Sequence, residues 1–130
     1  MITDPISDFL TRLRNAQSAE HETTTVPGSR IKLAIAKLLQ REGYLEAVSE
    51  KTEGVKKTIT VTLKYVGKTP AIRAITRTSK PGLRVYRKAS ELPRVLSDQG
   101  IAVVSTSAGI MTNKEARRRK LGGEVLCEIY

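Results

Sequence analysis

Thr58-Ile59-Thr60-Val61-Thr62-Leu63-Lys64-Tyr65-Val66-Gly67-Lys68-Thr69-Pro70 decides how this chain is organised. Up to Tyr65, apolar and polar residues alternate with period two, so one strand points Ile59, Val61, Leu63 and Tyr65 inward and leaves Thr58, Thr60, Thr62 and Lys64 wet. Val66 to Pro70 then breaks the pattern with both a Gly and a Pro. A boundary is expected there, between an α/β domain over residues 1–66 and a β-rich domain over residues 71–130. Gly67-Lys68-Thr69 looks like the end of a phosphate-binding P-loop, but position 62 is Thr where that motif needs Gly, and Pro70 follows where a helix should start. The segment reads as a linker.

Toward the N-terminus, Tyr44 to Glu50 reads as a strand, joined to the first by a polar loop around Gly54. Before it, Ser29 caps a helix that turns Ile31, Ala34, Ile35, Leu38 and Leu39 inward and stops at Gly43. Thr23 to Val26 is a short β-prone run ended by Pro27-Gly28. Asp4-Pro5 starts a first helix, with Asp as cap and apolar residues at Ile6, Phe9, Leu10 and Leu13. The first domain is therefore ordered α-β-α-β-β.

Toward the C-terminus, Ile72 to Thr78 and Leu83 to Arg87 are expected to form a hairpin around the turn Ser79-Lys80-Pro81-Gly82. Ser90-Glu91-Leu92-Pro93 starts at most a short helix. Ile101 to Ser107 is an apolar strand running into a loop, Ala108-Gly109-Ile110. Thr112 and Glu115 match a capping box for a short helix ending near Gly122. Val125, Cys127 and Ile129 alternate in a closing strand. The fold class is α+β: two small α/β domains, the second mainly antiparallel sheet with short helices.

The 130 residues carry 23 Lys+Arg against 13 Asp+Glu, a net charge of +10. With 39% apolar and 28% charged residues the chain has the make-up of a folded domain, not of a disordered tail. Residues 1–70 hold 11 Lys+Arg and 8 Asp+Glu, and residues 71–130 hold 12 and 5, so the net charges are +3 and +7. A field of that sign concentrates polyanions, and the second half is the expected anion-binding surface. No stretch approaches the roughly 20 apolar residues of a membrane span, and MITDPISDFL lacks the basic start and apolar run of a signal peptide, so a cytosolic protein is expected. One cysteine, Cys127, and one histidine, His21, cannot build a disulfide scaffold or a structural zinc site.

The hydroxyl run Ser105-Thr106-Ser107-Ala108-Gly109 sits where an apolar strand gives way to a loop. Small side chains that both donate and accept suit phosphate, ribose 2′-hydroxyl and base edges, and Gly109 lets the backbone turn without a clash; a plain Ser/Gly-rich turn is the competing reading. Lys114 and Arg117-Arg118-Arg119-Lys120 form a basic block that either holds phosphates or merely decorates a surface helix. Arg84-Val85-Tyr86-Arg87-Lys88 fits a strand with Val85 inward and Tyr86 outward, where the ring can stack on an unpaired base. Arg30, Lys37 and Arg41 share a face of the second helix and read as solvated. His21 has no nucleophile near it, and Cys127 reads as a buried core thiol.

Gly100-Ile101-Ala102-Val103-Val104-Ser105-Thr106-Ser107-Ala108-Gly109-Ile110-Met111-Thr112-Asn113-Lys114-Glu115-Ala116-Arg117 resembles, without a gap, the C-terminal signature of the eighth protein of the small ribosomal subunit, bacterial type. Ser79 to Lys88 followed by Glu91-Leu92-Pro93 is similar to that family's middle region, and Asp4-Pro5 with Leu10-Thr11-Arg12-Leu13-Arg14-Asn15 to its start. The resemblance covers essentially the whole chain. It implies a primary ribosomal RNA-binding protein that recognises an irregular stem in the central domain and helps assemble the platform, with no enzymatic activity.

The resemblance places Ser105, Thr106, Ser107 and Gly109 at the irregular minor groove, with Tyr86, Arg87 and Lys88 beside them. The remaining basic candidates are Lys80, Arg84, Lys114, Arg117 and Arg118, and the first domain would touch a second RNA helix through Thr3, Arg12, Asn15 and Ser29. Ala108 departs from the family, since many relatives carry a lysine there. Expected partners are central-domain ribosomal RNA, neighbouring small-subunit proteins and, as in some relatives, its own messenger RNA. No cofactor, metal or membrane is expected, and the free protein should be a monomer. A scaffold that chiefly bridges proteins is the alternative, disfavoured by few aromatics; a DNA-binding regulator lacks a helix-turn-helix or dimer signature.

Overall fold

The structure is a computed structural model and describes residues Asp4–Tyr130; the expected contact Thr3 lies outside them. Two compact units divide the chain, one of Pro5–Ile72 and the other of Arg73–Tyr130 with Asp4. The α+β class inferred from the sequence holds.

The first unit begins with α1 (Pro5–Ser18), β1 (Thr23–Pro27), α2 (Arg30–Arg41), β2 (Leu45–Glu53) and β3 (Lys56–Leu63). The last strand in sequence is the middle one in space, giving an antiparallel sheet of order β1-β3-β2. Ile59, Val61 and Leu63 are buried on its inner face with Phe9, Leu10 and Leu13 of α1, as the two periodicities require. Ser29 does cap α2, its Oγ accepting from Lys32 N at 3.3 Å. The stripe of α2 is rotated from expectation, with Lys32 and Ala36 buried while Ile31 and Ala34 are only half-buried. Lys32 is tolerated inside because its apolar stem packs while its Nζ donates to Pro27 O at 3.0 Å. The expected linker is instead a small ladder, β4 (Tyr65–Val66) against β5 (Thr69–Pro70). Here Gly67, at φ +65°, turns the chain in a conformation costly for other residues.

The second unit holds β6 (Ile75–Arg77), β7 (Tyr86–Arg87), a single 3-10 turn at Ala89–Glu91, β8 (Ile101–Thr106), β9 (Gly109–Thr112), α3 (Asn113–Arg118) and β10 (Gly123–Ile129). Three expectations fail here. β6 and β7 do not pair with each other; both lie along the same edge of β10, β6 against Cys127–Ile129 and β7 against Gly123–Glu124, while β8 takes the other edge. The turn expected at Ser79–Gly82 forms one residue along, at Lys80–Leu83, closed by two backbone hydrogen bonds of 2.9 Å, but the long strand β10 offers both arms a better ladder than they offer each other. Gly109–Ile110 is not loop but the start of β9, which folds back on β8. β10 also carries a register shift between Val125 and Cys127, so Leu126 is buried along with both of them. α3 stops at Arg118, short of Gly122.

One face of this sheet carries Ala102, Val104, Met111 and Val125 into a core with Ala116, Leu92 and Val95. Asn113, fully buried, ties that core's rim together: its Oδ1 accepts from Ala102 N at 3.0 Å and its Nδ2 donates to Pro93 O at 2.7 Å. Asp4, expected to cap α1, grips Arg77 through both carboxylate oxygens at 3.0 and 3.2 Å.

Candidate nucleic-acid interface

The expected contacts of the second unit gather at the hairpin end of its sheet. Antiparallel pairing puts directly opposed residues on one face, and Glu124 lies opposite both Tyr86 and Ser105, with Ser105 opposite Ile110. Tyr86, Glu124, Ser105 and Ile110 therefore form a row across four strands. Two strand spacings separate Tyr86 from Ser105, about 10 Å between backbones. Further along the same face Val103, Cys127, Ile101 and Ile129 are buried, so the polar row sits where the face emerges from the interior. Tyr86 is 64% exposed, and Val85 half-buried, as the strand reading required.

The hydroxyl run forms the tip of the β8–β9 hairpin. Ser107 and Ala108 are the two residues that turn the chain between paired Thr106 and Gly109, and both are exposed. Gly109 has φ +116°, which residues with a side chain rarely adopt. Thr106 Oγ1 donates to Gly109 O at 2.8 Å and accepts from Ala108 N at 3.1 Å. Its single hydroxyl proton is thus spent inside the turn. Thr106 shapes the tip, and Ser107 is the hydroxyl it presents.

The basic residues divide by what already holds them. Arg87 is exposed and donates to the carbonyl of Tyr86 at 2.9 Å, and Lys88 and Lys80 are exposed. Arg84 donates to Glu124 Oε2 at 3.1 Å. Around α3, Lys114 Nζ donates to Asp98 O, and Arg117 is turned toward the carbonyls of Leu92 and Pro93, at 3.4 Å each. Thr112 Oγ1 caps the helix by accepting from Glu115 N at 3.1 Å. The Glu115 carboxylate does not complete a reciprocal box; it takes Arg118 and Arg119. The Arg118 hydrogen bond, then that of Arg119, holds the Glu115 carboxyl below its usual range, against some desolvation.

In the first unit Arg12 lies between two open grooves. One, of about 370 Å³, is lined by Arg12, Asn15, Ala16, Ala19, His21 and Thr24, the other by Arg12, Thr25, Val26, Pro27, Lys56 and Thr58. Arg12 pairs with Asp8 at 3.2 Å and donates to Thr25 O at 3.3 Å. Ser29 Oγ caps α2 by accepting from Lys32 N, a bond that does not use its hydroxyl proton. No group of three His, Cys, Asp or Glu able to hold a metal occurs among the described residues.

Sequence reasoning missed Glu124 in the main surface and Ser79 beneath it. Ser79 is fully buried; its Oγ donates to Glu124 Oε2 and accepts from Val85 N at 3.1 Å. The signal available was Gly122-Gly123 before Glu124. Two glycines in succession mark a close backbone approach at the point where the acid enters the sheet, and a Cβ on Gly123 would lie 2.2 Å from Ser105 O.

Comparison with known proteins gives the same family as the sequence resemblance. A family model described as ribosomal protein S8 matches residues 4–130. The chain is 52% identical over 129 residues to the small ribosomal subunit protein uS8 of Prochlorococcus marinus (strain MIT 9312), covering 98% of this chain and 97% of the relative. It is 55% identical over 130 residues to the uS8 protein of Synechocystis sp., covering 98% of each, and 54% identical over 129 residues to that of Trichormus variabilis, covering 98% of this chain and 97% of the relative.

Proposed function

The chain belongs to the ribosomal protein S8 family, and from that premise we propose that it is a structural constituent of the small ribosomal subunit that binds central-domain ribosomal RNA and helps assemble the platform. It acts as a component of the ribosome, alongside neighbouring small-subunit proteins, and not as an enzyme. The observation that carries the reading is the row Tyr86, Glu124 and Ser105 running up to the Ser107 tip. There, one stacking ring, one acceptor and a set of small hydroxyls share an exposed edge of the unit that carries most of the positive charge. Lysines and arginines supply salt-dependent attraction to phosphates, and the tip recognises the shape of a stem distorted by unpaired bases.

Residues 71–130 form the principal RNA-binding domain in this proposal. Arg12, Asn15 and Ser29 supply a second RNA contact from the other unit, Arg12 by charge and Ser29 from the start of α2. The free protein is a monomer, and its own messenger RNA is a further ligand wherever the transcript reproduces the irregular stem.

The test is a binding titration at two salt concentrations. Its ligands are a small-subunit central-domain stem, the same stem with its irregularity repaired to regular pairs, and duplex DNA. Tight binding to the irregular stem alone supports a shape-reading ribosomal RNA protein. Equal and steeply salt-dependent binding to all three rejects it and leaves a basic scaffold.

A further inference from the structure

Glu124 sits in the middle of a surface that the proposed function assigns to a polyanion. Its side chain is only 14% exposed, and both neighbours in its row, Tyr86 and Ser105, are residues expected to touch RNA. Oε2 is occupied twice, by Ser79 Oγ and by Arg84 Nη1 at 3.1 Å. Oε1 accepts no hydrogen bond from the described residues, and it is not sealed from solvent. The carboxylate is held firmly: Ser79 is fully buried, Val85 N bonds Ser79 Oγ, and Val125 N donates to Val85 O at 2.9 Å.

A carboxylate only accepts. A phosphate brought to this position meets a like charge, whereas a ribose 2′-hydroxyl or an exocyclic base amine offers the missing donor. We infer that Glu124 is a specificity-determining residue of this surface: Oε1 accepts a hydrogen bond from a 2′-hydroxyl or an exocyclic amine in an RNA groove, and the charge turns phosphates away from the space between Tyr86 and Ser105. Arg84 belongs to the same device, because its guanidinium is balanced by Glu124 and adds little free positive charge there. The surface is thus basic around its margin and close to neutral at its centre, where Glu124 offers acceptors and no free cation, an arrangement that penalises indiscriminate backbone binding. This inference rests on the RNA-binding reading above.

The experiment compares the full-length protein with Glu124→Gln, which keeps an acceptor for Ser79 and Arg84 but removes the charge. Glu128→Gln serves as control, an acid on the same strand pairing with Ala102 on the opposite face. Each is titrated against the irregular stem and duplex DNA at two salt concentrations. Glu124→Gln should lose about tenfold in preference for the stem, the scale of a hydrogen bond to a charged group. Its binding to duplex DNA should rise and become more salt-dependent, because the charge of Arg84 is no longer balanced, and Glu128→Gln should leave the preference unchanged. An unchanged preference in a folded Glu124→Gln, or an equal loss in Glu128→Gln, overturns the inference.

If Glu124→Gln does not fold, the wild-type protein decides with modified stems. One set carries single 2′-deoxy positions and the other single bases lacking their exocyclic amine (inosine for guanosine, purine riboside for adenosine, 2-pyrimidinone riboside for cytidine), so each replacement removes one donor group. A loss of about tenfold at one position identifies the source as ribose or base; no loss at any position overturns the inference. Failure of the wild-type protein to prefer the irregular stem over duplex DNA would instead remove the RNA-binding reading itself.

Discussion

Thr106 and Gly109 close the β8–β9 hairpin twice, once as a strand pair and once through the 2.8 Å hydrogen bond from Thr106 Oγ1 to Gly109 O. The three hydroxyls of the run are therefore unequal. Ser107→Ala should leave stability within error and weaken binding to the irregular stem by about 1 to 2 kcal/mol, with little effect on duplex DNA. Thr106→Val should cost about 1 kcal/mol of stability, and Thr106→Ser should restore most of both stability and binding. Equal losses of specific and nonspecific binding for Ser107→Ala would sink this division of roles.

At Gly123 the chain runs close to β8, since a Cβ there would lie 2.2 Å from the Ser105 carbonyl oxygen. Gly123→Ala must push the two strands apart at the row that carries Ser105 and Glu124. A destabilisation of about 2 to 3 kcal/mol in urea unfolding is expected, with a matching loss of stem binding. Gly82→Ala, with nothing near its Cβ position, should be close to neutral in the same assay.

What could be read from the sequence follows the reach of the interactions involved. α2 and β3 were legible because their period-3.6 and period-2 patterns are local, and the Ser29 and Thr112 caps because each acts over three residues. The partner of β7 was not, because β10 lies about forty residues away and nothing in Tyr86-Arg87 encodes that distance. β9 was hidden by its brevity and its leading glycine. The hydroxyl tip was visible as a motif, but the internal use of Thr106 and the turning of Arg117 toward Leu92 and Pro93 depend on tertiary geometry. Glu124 was overlooked because one acid among many cations looks like ordinary balance until its neighbours in space are known.

Cys127 is fully buried, and that burial pushes its thiol up to about 12. In the unfolded chain the thiol ionises near its ordinary value of about 8.5, so the folded form is the one that keeps its proton. The associated stability is complete below that value and is lost as pH rises toward 12, on the order of 1 kcal/mol per pH unit. Wild-type protein should therefore lose stability faster than Cys127→Ala between about pH 9 and pH 11. A thiol reagent should label Cys127 only under unfolding conditions. Rapid labelling of native protein at pH 8 would contradict the burial.

Asn113, itself fully buried, satisfies two backbone groups, the N–H of buried Ala102 and the carbonyl of half-buried Pro93. Asn113→Ala should cost about 2 to 4 kcal/mol, with Asn113→Asp also severe because a carboxylate cannot donate to Pro93 O. Thermal unfolding checks both. A cost near zero for either would mean that the start of α3 and the Pro93 segment are not held by this side chain.

Arg117 and Lys88 are both basic residues of the second unit, yet the structure separates them. Arg117 reaches the carbonyls of Leu92 and Pro93, whereas Lys88 is exposed beside Tyr86 and Arg87 with no ion pair among the described residues. A cation that neutralises one phosphate contributes about one unit to the slope of log affinity against log salt. Lys88→Ala should lower that slope by about 1 while leaving the unfolding midpoint unchanged. Arg117→Ala should do the reverse, costing about 1 kcal/mol of stability with little change in slope, because its guanidinium serves the fold before it meets RNA. Measuring slope and midpoint together distinguishes the two, and a slope change in Arg117→Ala equal to that in Lys88→Ala would return Arg117 to the phosphate-binding surface.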